Sequence, residues 1–349
     1  MTIVIISALA DYHAAAVRWA LETVGFVVNQ WEGLGYEGQR QASVEFAPNL
    51  RVCLQGRIVE PGDIVWYRRP RSFSFHPLMA ECDRRFVRAE ARRFSDCLDL
   101  GIEASGCRCI NPPSAASAIN RKAAQILVAR RAGLLVPATM MGNEPQQVVA
   151  RLSERGTRLV YKGFLPHVWE NSRTGLKAFT VTSEMTFPAD GTDDLLTYAP
   201  GIYQQLIAKH HDARVMVLGE LVRAFLVRSD SLDWRLEAVL GRAHVEEVPV
   251  PEAVLLGLRE FMVNSGIVFG CFDFAVDEHG CWWFLEVNEA GQFLWIDQML
   301  PEARIFEDFL VFLTGTEKKP FPPLGDFTFD PTAFPSLPEE EVPFTTTET

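Results

Sequence analysis

The stretch FLEVNEAGQFLWI, Phe284 to Ile296, sets a carboxylate and a carboxamide two residues apart at the end of an apolar run. Residues two apart in a strand share a face, so Glu286 and Asn288 would present their oxygens in one direction while Leu285 and Val287 face the core. Ligation by oxygen alone suits a hard cation such as Mg2+, which keeps waters and shares its remaining positions with phosphates. On this fragment alone the plainer reading, a polar strand end that caps a turn, has the edge. The lysines supply a second clue: six of the 33 Lys and Arg residues are lysines, leaving 27 arginines. Where Arg serves as the general surface cation, a retained Lys is informative, because Lys is a compact point charge suited to phosphate and Arg a planar fork. Lys122 opens a predicted helix and Lys162 sits in a predicted strand, placed to hold a polyphosphate from two sides. Taken as a pair they read equally well as solvated surface charges.

The elements that must position these residues follow from the hydrophobic pattern. Residues 3 to 7 (IVIIS) read as a buried strand, 12 to 24 as a helix, and 26 to 31 as a second strand that completes a βαβ unit. No G-x-G-x-x-G joins them, which disfavours a dinucleotide site. A hairpin in LRVCLQGRIVEPGD precedes DIVWYRRPR, read as a strand ending in a turn that bears Arg68, Arg69 and Arg71. A helix over 79 to 100 follows, and the prolines of CINPP close a first domain. SAINRKAAQILVARRAGLLVPATMM predicts one helix from about 118 to Gly133, and another is expected at 144 to 154. RLVYKGF, 178 to 187 and 203 to 207 read as strands. VMVLGELVRAFLV and FDFAVDEHGCWWFLEVN read as hairpins turning at Gly219 with Glu220 and at His279 with Gly280. The segment from Lys318 onward, rich in Pro, Phe, Thr and Glu, predicts an irregular tail.

Composition narrows the class. A chain of 349 residues, 48% hydrophobic, supports two or three globular domains. A net charge of −12 argues against nucleic-acid binding, which needs a basic surface. Seven cysteines without metal-site spacing read as reduced cytosolic thiols, and Cys107 with Cys109 as packing residues. With no signal-peptide pattern and no apolar run of membrane-spanning length, the expected location is the cytoplasm.

The order of the polar sites carries more than any one of them. A helix-start Lys, a strand Lys forty residues later, YQQLI (Tyr203 to Ile207), DAR (Asp212 to Arg214), DWR (Asp233 to Arg235), FDF around Asp273 and EVN at Glu286 to Asn288 follow in turn. That order resembles the ATP-grasp superfamily of carboxylate–amine ligases. Within it, WYRRP, NRKAAQILVARRAGLLVPAT, DARVMVLGELVRAF, DWR and EVNEAGQFLWI look like the microviridin-type graspetide macrocyclases, a likeness covering about residues 1 to 315. It implies a mixed α+β and α/β architecture in which two lobes enclose ATP. The expected parts are an N-terminal pre-ATP-grasp domain over 1–113, a central lobe over 114–205, a C-terminal lobe over 206–317 and a tail over 318–349.

Carried over residue by residue, the resemblance gives Lys122 and Lys162 to the ATP phosphates, Gln204, Leu206 and Ile207 to the adenine edge, and Asp212 to the ribose. It gives Arg214 and Arg235 to the transferring phosphate and the acyl group, and Asp273, Glu286 and Asn288 to Mg2+. Apart from the resemblance, Arg68, Arg69 and Arg71, preceded by Trp66 and Tyr67, read with equal weight as a cluster that receives an acidic peptide and as solvated turn residues. The reaction implied is activation of Asp or Glu side chains of a ribosomally made precursor peptide as acyl phosphates, with release of ADP. Capture by Ser, Thr or Lys side chains then forms ester or amide crosslinks. Two departures stand out: Gln205 occupies a hinge position where many relatives carry Glu, and Glu289 and Ala290 follow the metal Asn where Pro and Asn are common. Other readings are a ligase of the same fold that adds a free amino acid, and a non-catalytic nucleotide-dependent binding protein. A homodimer is a fair expectation.

Overall fold

The computed structural model describes residues 1–37, 40–144, 146–148, 150, 158–165, 168–170, 177–179, 182–185, 195–228, 234, 243–317 and 320–330. The apolar runs near the N-terminus build a four-stranded parallel sheet in the order Val28–Trp31, Ile3–Ser7, Ile64–Arg69, Arg108–Ile110. Parallel strands are covered on both faces, which is why IVIIS is apolar throughout instead of alternating. The helix Tyr12–Thr23 covers one face with Ala16, Val17 and Ala20. Leu98 and Ile102 of the helix Glu81–Ala104, with Val52 and Leu54 of a small antiparallel sheet, cover the other. Strands of such a sheet end on one side, so Arg68, Arg69 and the Ile110–Asn111 junction all face the same neighbour, the loop that follows Asn288.

The single helix expected from about 118 is two helices. Pro113–Ile119 stops at Asn120, Arg121 is extended (φ −74°, ψ 121°), and Lys122–Arg131 starts afresh. The interruption places Lys122 in a first helical turn. Leu134 and Leu135 then lead into a central antiparallel sheet, ordered Ser183–Met185, Leu159–Lys162, Gly201–Gln205, Thr139–Gly142. Within the stretch 178–187 the chain forms two short strands, Lys177–Phe179 and Ser183–Met185, which belong to different sheets. The strand expected at 203–207 is Gly201–Gln205, so Leu206 and Ile207 lie in the connection to the next sheet. Much of the helix expected at 144–154 lies outside the described residues.

The C-terminal sheet is antiparallel and five-stranded: His244–Val248, Leu221–Arg228, Lys209–Leu218, Phe269–Asp277, Trp282–Asn288. Its two tight hairpins turn where the sequence places them, with Gly219 at φ +62° and Gly280 at φ +76°, conformations that favour glycine. The helices Lys122–Arg131 and Glu252–Ser265 cover one face, packing Ala129, Leu258 and Phe261 onto Phe272, Phe274 and Phe284. The helix Ile305–Thr314 covers the other and joins this sheet to the N-terminal one in a single core around Trp66, Phe269 and Phe309. Residues 320–330 hold one 3-10 turn, Leu324–Asp326, and pack Phe327 against Tyr12 and Trp19. Among the described residues no helix is long and apolar enough to cross a membrane.

Candidate active site

Asp273 and Glu286 lie directly opposite each other on the paired strands Phe269–Asp277 and Trp282–Asn288, and Arg214 lies opposite Asp273 on the next strand. Residues in such register have neighbouring Cβ atoms, so the pairing alone brings two carboxylates and a guanidinium into one row. Lys122, from the helix above, extends that row: its Nζ donates to Glu286 Oε2 at 2.6 Å. At the other end Arg214 donates from NH1 to Asp273 Oδ1 at 2.6 Å and from NH2 to the Gln292 carbonyl at 3.0 Å. Arg214 is only 5% exposed. Burial opposes its charge most strongly, but Asp273, Cys271 and Glu286 together outweigh that, and the guanidinium is held more firmly protonated than usual. The row therefore alternates cation, anion, anion, cation, and the two acidic groups at its centre have all-oxygen chemistry. Among the described residues no three His, Cys, Asp or Glu side chains gather as a metal cluster. A pair of carboxylates fits Mg2+, which retains several positions for water and phosphate. Asn288 stands beside them, and its Oδ1 also accepts from the backbone N–H groups of Ala290 (3.2 Å) and Gly291 (2.9 Å). Of the two readings of the EVN motif, the turn cap is thus seen directly at Asn288.

A cavity of about 310 Å³ opens beside this row, between the central and C-terminal sheets. Its polar end holds Lys122, Lys162, Asp273 and Glu286, and Met141, Val160, Ile202 and Leu206 are among its apolar walls. The volume and the division between apolar wall and charged floor suit a nucleotide. Lys162 Nζ donates to Gln204 Oε1 at 2.8 Å, and Gln204 Nε2 donates to Thr139 Oγ1 at 3.0 Å. The Gln204 carboxamide is thereby held between Lys162 and Thr139 in the lining of the cavity. The Leu206 N–H donates to the Arg158 carbonyl at 2.8 Å, so that backbone donor also serves the fold. Leu206 and Ile207 line the cavity as apolar wall. Asp212, also in the lining, accepts from Lys209 Nζ at 2.6 Å. Trp234 stands at the cavity against Trp295, ring centroids 4.6 Å apart. Arg235 lies outside the described residues.

On the third side the expected arginine turn is resolved into three different environments. Arg68 and Arg69 are the last two residues of a strand, and Arg68 is buried at 5% exposure. It donates to Asp11 Oδ1 at 3.1 Å and to the carbonyls of Ala290 and Gly291. Arg68 thus binds the loop that follows Trp282–Asn288 and is buried there, not exposed on a turn as expected. Arg71 pairs with Glu37 at 3.3 Å, and its carbonyl accepts from the buried Arg40. Arg69 is exposed; with the Gln292 carboxamide oriented by hydrogen bonding, both terminal nitrogens of Arg69 donate to its oxygen at 2.9 and 3.1 Å. Gln292 therefore links Arg69 to Arg214, and two guanidinium groups meet at the rim of the row.

Three side chains that sequence reading missed, the buried Asn111 and Gln125 and the half-buried His13, fix the same strand and the loop after it. Asn111 Nδ2 donates to the carbonyls of Phe269 (2.9 Å) and Glu289 (2.8 Å), and its Oδ1 accepts from the N–H groups of Val268 (2.7 Å) and Phe269 (2.8 Å). His13 Nε2 accepts from the N–H groups of Phe293 (3.0 Å) and Leu294 (3.3 Å). Burial first, then Arg68, Arg69 and Arg214, pushes its pKa down to about 2 and keeps the imidazole a neutral acceptor. Gln125 binds both backbone groups of Val287. The proline-marked break at CINPP was the one sequence signal near any of them.

No family model matches the chain, and no curated protein matches it by sequence. Solved structures do match. An ATP-grasp ligase of Chryseobacterium gregarium associated with a ribosomally made peptide, in complex with ADP and a leader and core peptide, superposes with a TM-score of 0.74 at 22% identity, over 92% of this chain and 98% of its own. Macrocyclase MdnC of Microcystis aeruginosa, bound to its precursor peptide MdnA, gives 0.71 at 22% identity, over 90% and 100%. The ATP-grasp ligase PsnB, complexed with a phosphomimetic variant of a minimal precursor, Mg and ADP, gives 0.68 at 20% identity, over 90% and 98%. At such coverage and such identity the likeness shows the architecture: this chain has the ATP-grasp fold.

Proposed function

We propose that the protein is an ATP- and Mg2+-dependent ligase that activates carboxylate side chains of a precursor peptide and joins them to hydroxyl or amine side chains of the same peptide. The observation that carries this reading is the row Lys122, Glu286, Asp273, Arg214, whose first three members line a half-apolar cavity and whose fourth is buried behind Asp273. Lys122 and Lys162 reach the floor from opposite walls and suit the charge of a polyphosphate. Met141, Val160, Leu206 and Ile207 offer the base an apolar slot, and Asp212 stands where it can accept from a ribose hydroxyl. Asp273 and Glu286, with Asn288, would hold Mg2+, which neutralises phosphate oxygens during phosphoryl transfer. Arg214, fixed by Asp273 and Gln292, offers a charged donor to the acyl phosphate as charge develops. Arg69, at the rim beside Gln292, is the arginine of its cluster placed to meet an acidic substrate. The peptide as partner is supported by the leader, core and precursor peptides in the similar ligases.

The test is a candidate precursor peptide rich in Thr, Ser, Lys, Asp and Glu, incubated with the enzyme, ATP and Mg2+. The expected outcome is ADP with phosphate, one ATP consumed per ring, and a product one water lighter per ring. A product heavier by an amino-acid residue would instead identify a peptide-tailoring ligase, and turnover without any peptide product would remove the crosslinking reading.

A further inference from the structure

Trp282–Asn288 is the edge strand of its sheet, and an edge leaves backbone groups without ladder partners. At Val287 a side chain fills that place. Gln125 Nε2 donates to the Val287 carbonyl at 3.0 Å, and Gln125 Oε1 accepts from the Val287 N–H at 3.1 Å. The carboxamide thus pairs with the strand as another strand would, and Gln125 is 1% exposed. Val287 sits between Glu286 and Asn288. Gln125 sits three residues after Lys122 on the helix Lys122–Arg131, on the same helical face. Apolar packing alone grips this helix weakly, since Gln125 and Ala129 are its only fully buried side chains. The clamp therefore fixes the first helical turn to the strand at the place where Lys122 Nζ meets Glu286 Oε2 at 2.6 Å.

We infer that Gln125 is a positioning residue for the nucleotide–metal site, acting through Lys122: its two hydrogen bonds to Val287 set the register between the phosphate-facing lysine and the metal-facing carboxylate. The inference rests on the nucleotide reading given above and adds a residue to it. Groups that orient the direct ligands of a metal site are worth about 10- to 100-fold in affinity, so the effect is measurable.

The test is calorimetric binding of ADP with Mg2+ to the full chain and to Gln125→Met, Lys122→Met and the double variant. Gln125→Met should weaken binding by about tenfold or more, and in the Lys122→Met background the same change should add less than about twofold, because residues that act through each other are not additive. An equal loss with and without Lys122 would mean that Gln125 merely stiffens the fold, and no loss in the single variant would end the inference outright. Should Gln125→Met fail to fold, Gln125→Asn, which keeps both amide groups one methylene short, takes its place in the cycle with the same expected pattern. A wild type that binds no ADP in the presence of Mg2+ would overturn the nucleotide reading itself, and this inference with it.

Discussion

The two sheets that wall the cavity are held together by different means. The C-terminal sheet is sandwiched: Phe272, Phe274, Phe284 and Val287 are buried on one side of it, and Phe269 and Cys271 on the other. Among the described residues the central sheet has a buried cluster of three, Val148, Leu159 and Tyr203, with a few half-buried neighbours. The site divides along the same line. Asp273, Glu286 and Arg214, which need a fixed mutual geometry, stand on the thick core. Lys162 stands on the thin one, steadied by Gln204 and Thr139 through a chain of side-chain hydrogen bonds. The difference teaches that the two halves of the site rest on different supports: Asp273 and Glu286 are set by apolar packing and strand pairing, and Lys162 is oriented by hydrogen bonds to side chains of its own sheet.

The largest effect should come from the thick side. Glu286→Gln keeps the size of the side chain and removes a metal-facing charge, so ATP turnover should fall by about a hundredfold or more. Glu286 is half-buried at the cavity floor, and the melting temperature should move little. An unfolded variant, or one of full activity, would show that Glu286 is structural. Arg214→Met should act on both properties. It removes Arg214 from the half-buried Asp273 carboxylate, a loss of about 3 kcal/mol in unfolding free energy, readable by denaturant titration.

The thin side should respond differently. Lys162→Met is expected to raise the KM for ATP by about tenfold while leaving unfolding unchanged, because one charge-assisted contact to phosphate is lost and no core residue is touched. Hydrogen exchange should sharpen the contrast without any substitution: amides of Gly201–Gln205 should exchange sooner than those of Phe269–Asp277, and ADP with Mg2+ should slow the first group most. Equal protection in both sheets would erase the distinction.

How much of this was legible depends on whether the signal was local. The hairpin carrying Asp273 and Glu286 was legible as far as its four-residue turn at a glycine; the irregularity between Asp273 and Phe274, which sets Asp273 opposite Glu286 and not Leu285, was not. Lys122 and Lys162 stood out by residue type and spacing. Arg68 did not, since three arginines in four residues look alike, and strand parity does not separate them because Val65 on the face of Arg69 is as buried as Ile64 and Trp66 on the face of Arg68. The turn of the Gln204 carboxamide toward Lys162 depends on Thr139, some 65 residues away. Asn111, His13 and Gln125 bind backbone groups more than 150 residues distant, and no pattern along the chain encodes such contacts.

The smallest effect expected concerns the seam between the N-terminal sheet and the loop after the metal strand. The folded protein holds the His13 pKa at about 2, below the ordinary 6.5. Protonation therefore favours the unfolded chain: this stability is complete above pH 6.5 and is lost as the pH falls below it. His13→Gln, which retains an acceptor, should flatten the decline in melting temperature between neutral and mildly acidic pH. An unchanged slope would place the acid sensitivity elsewhere.

The central claim is that the row Lys122, Glu286, Asp273, Arg214 serves phosphoryl transfer from ATP to a carboxylate. A peptide with heavy-oxygen-labelled side-chain carboxylates, incubated with enzyme, ATP and Mg2+, tests it most directly. The account predicts that one labelled oxygen from each activated carboxylate appears in inorganic phosphate, with ADP as the nucleotide product. Label appearing in AMP, with release of pyrophosphate, would contradict it.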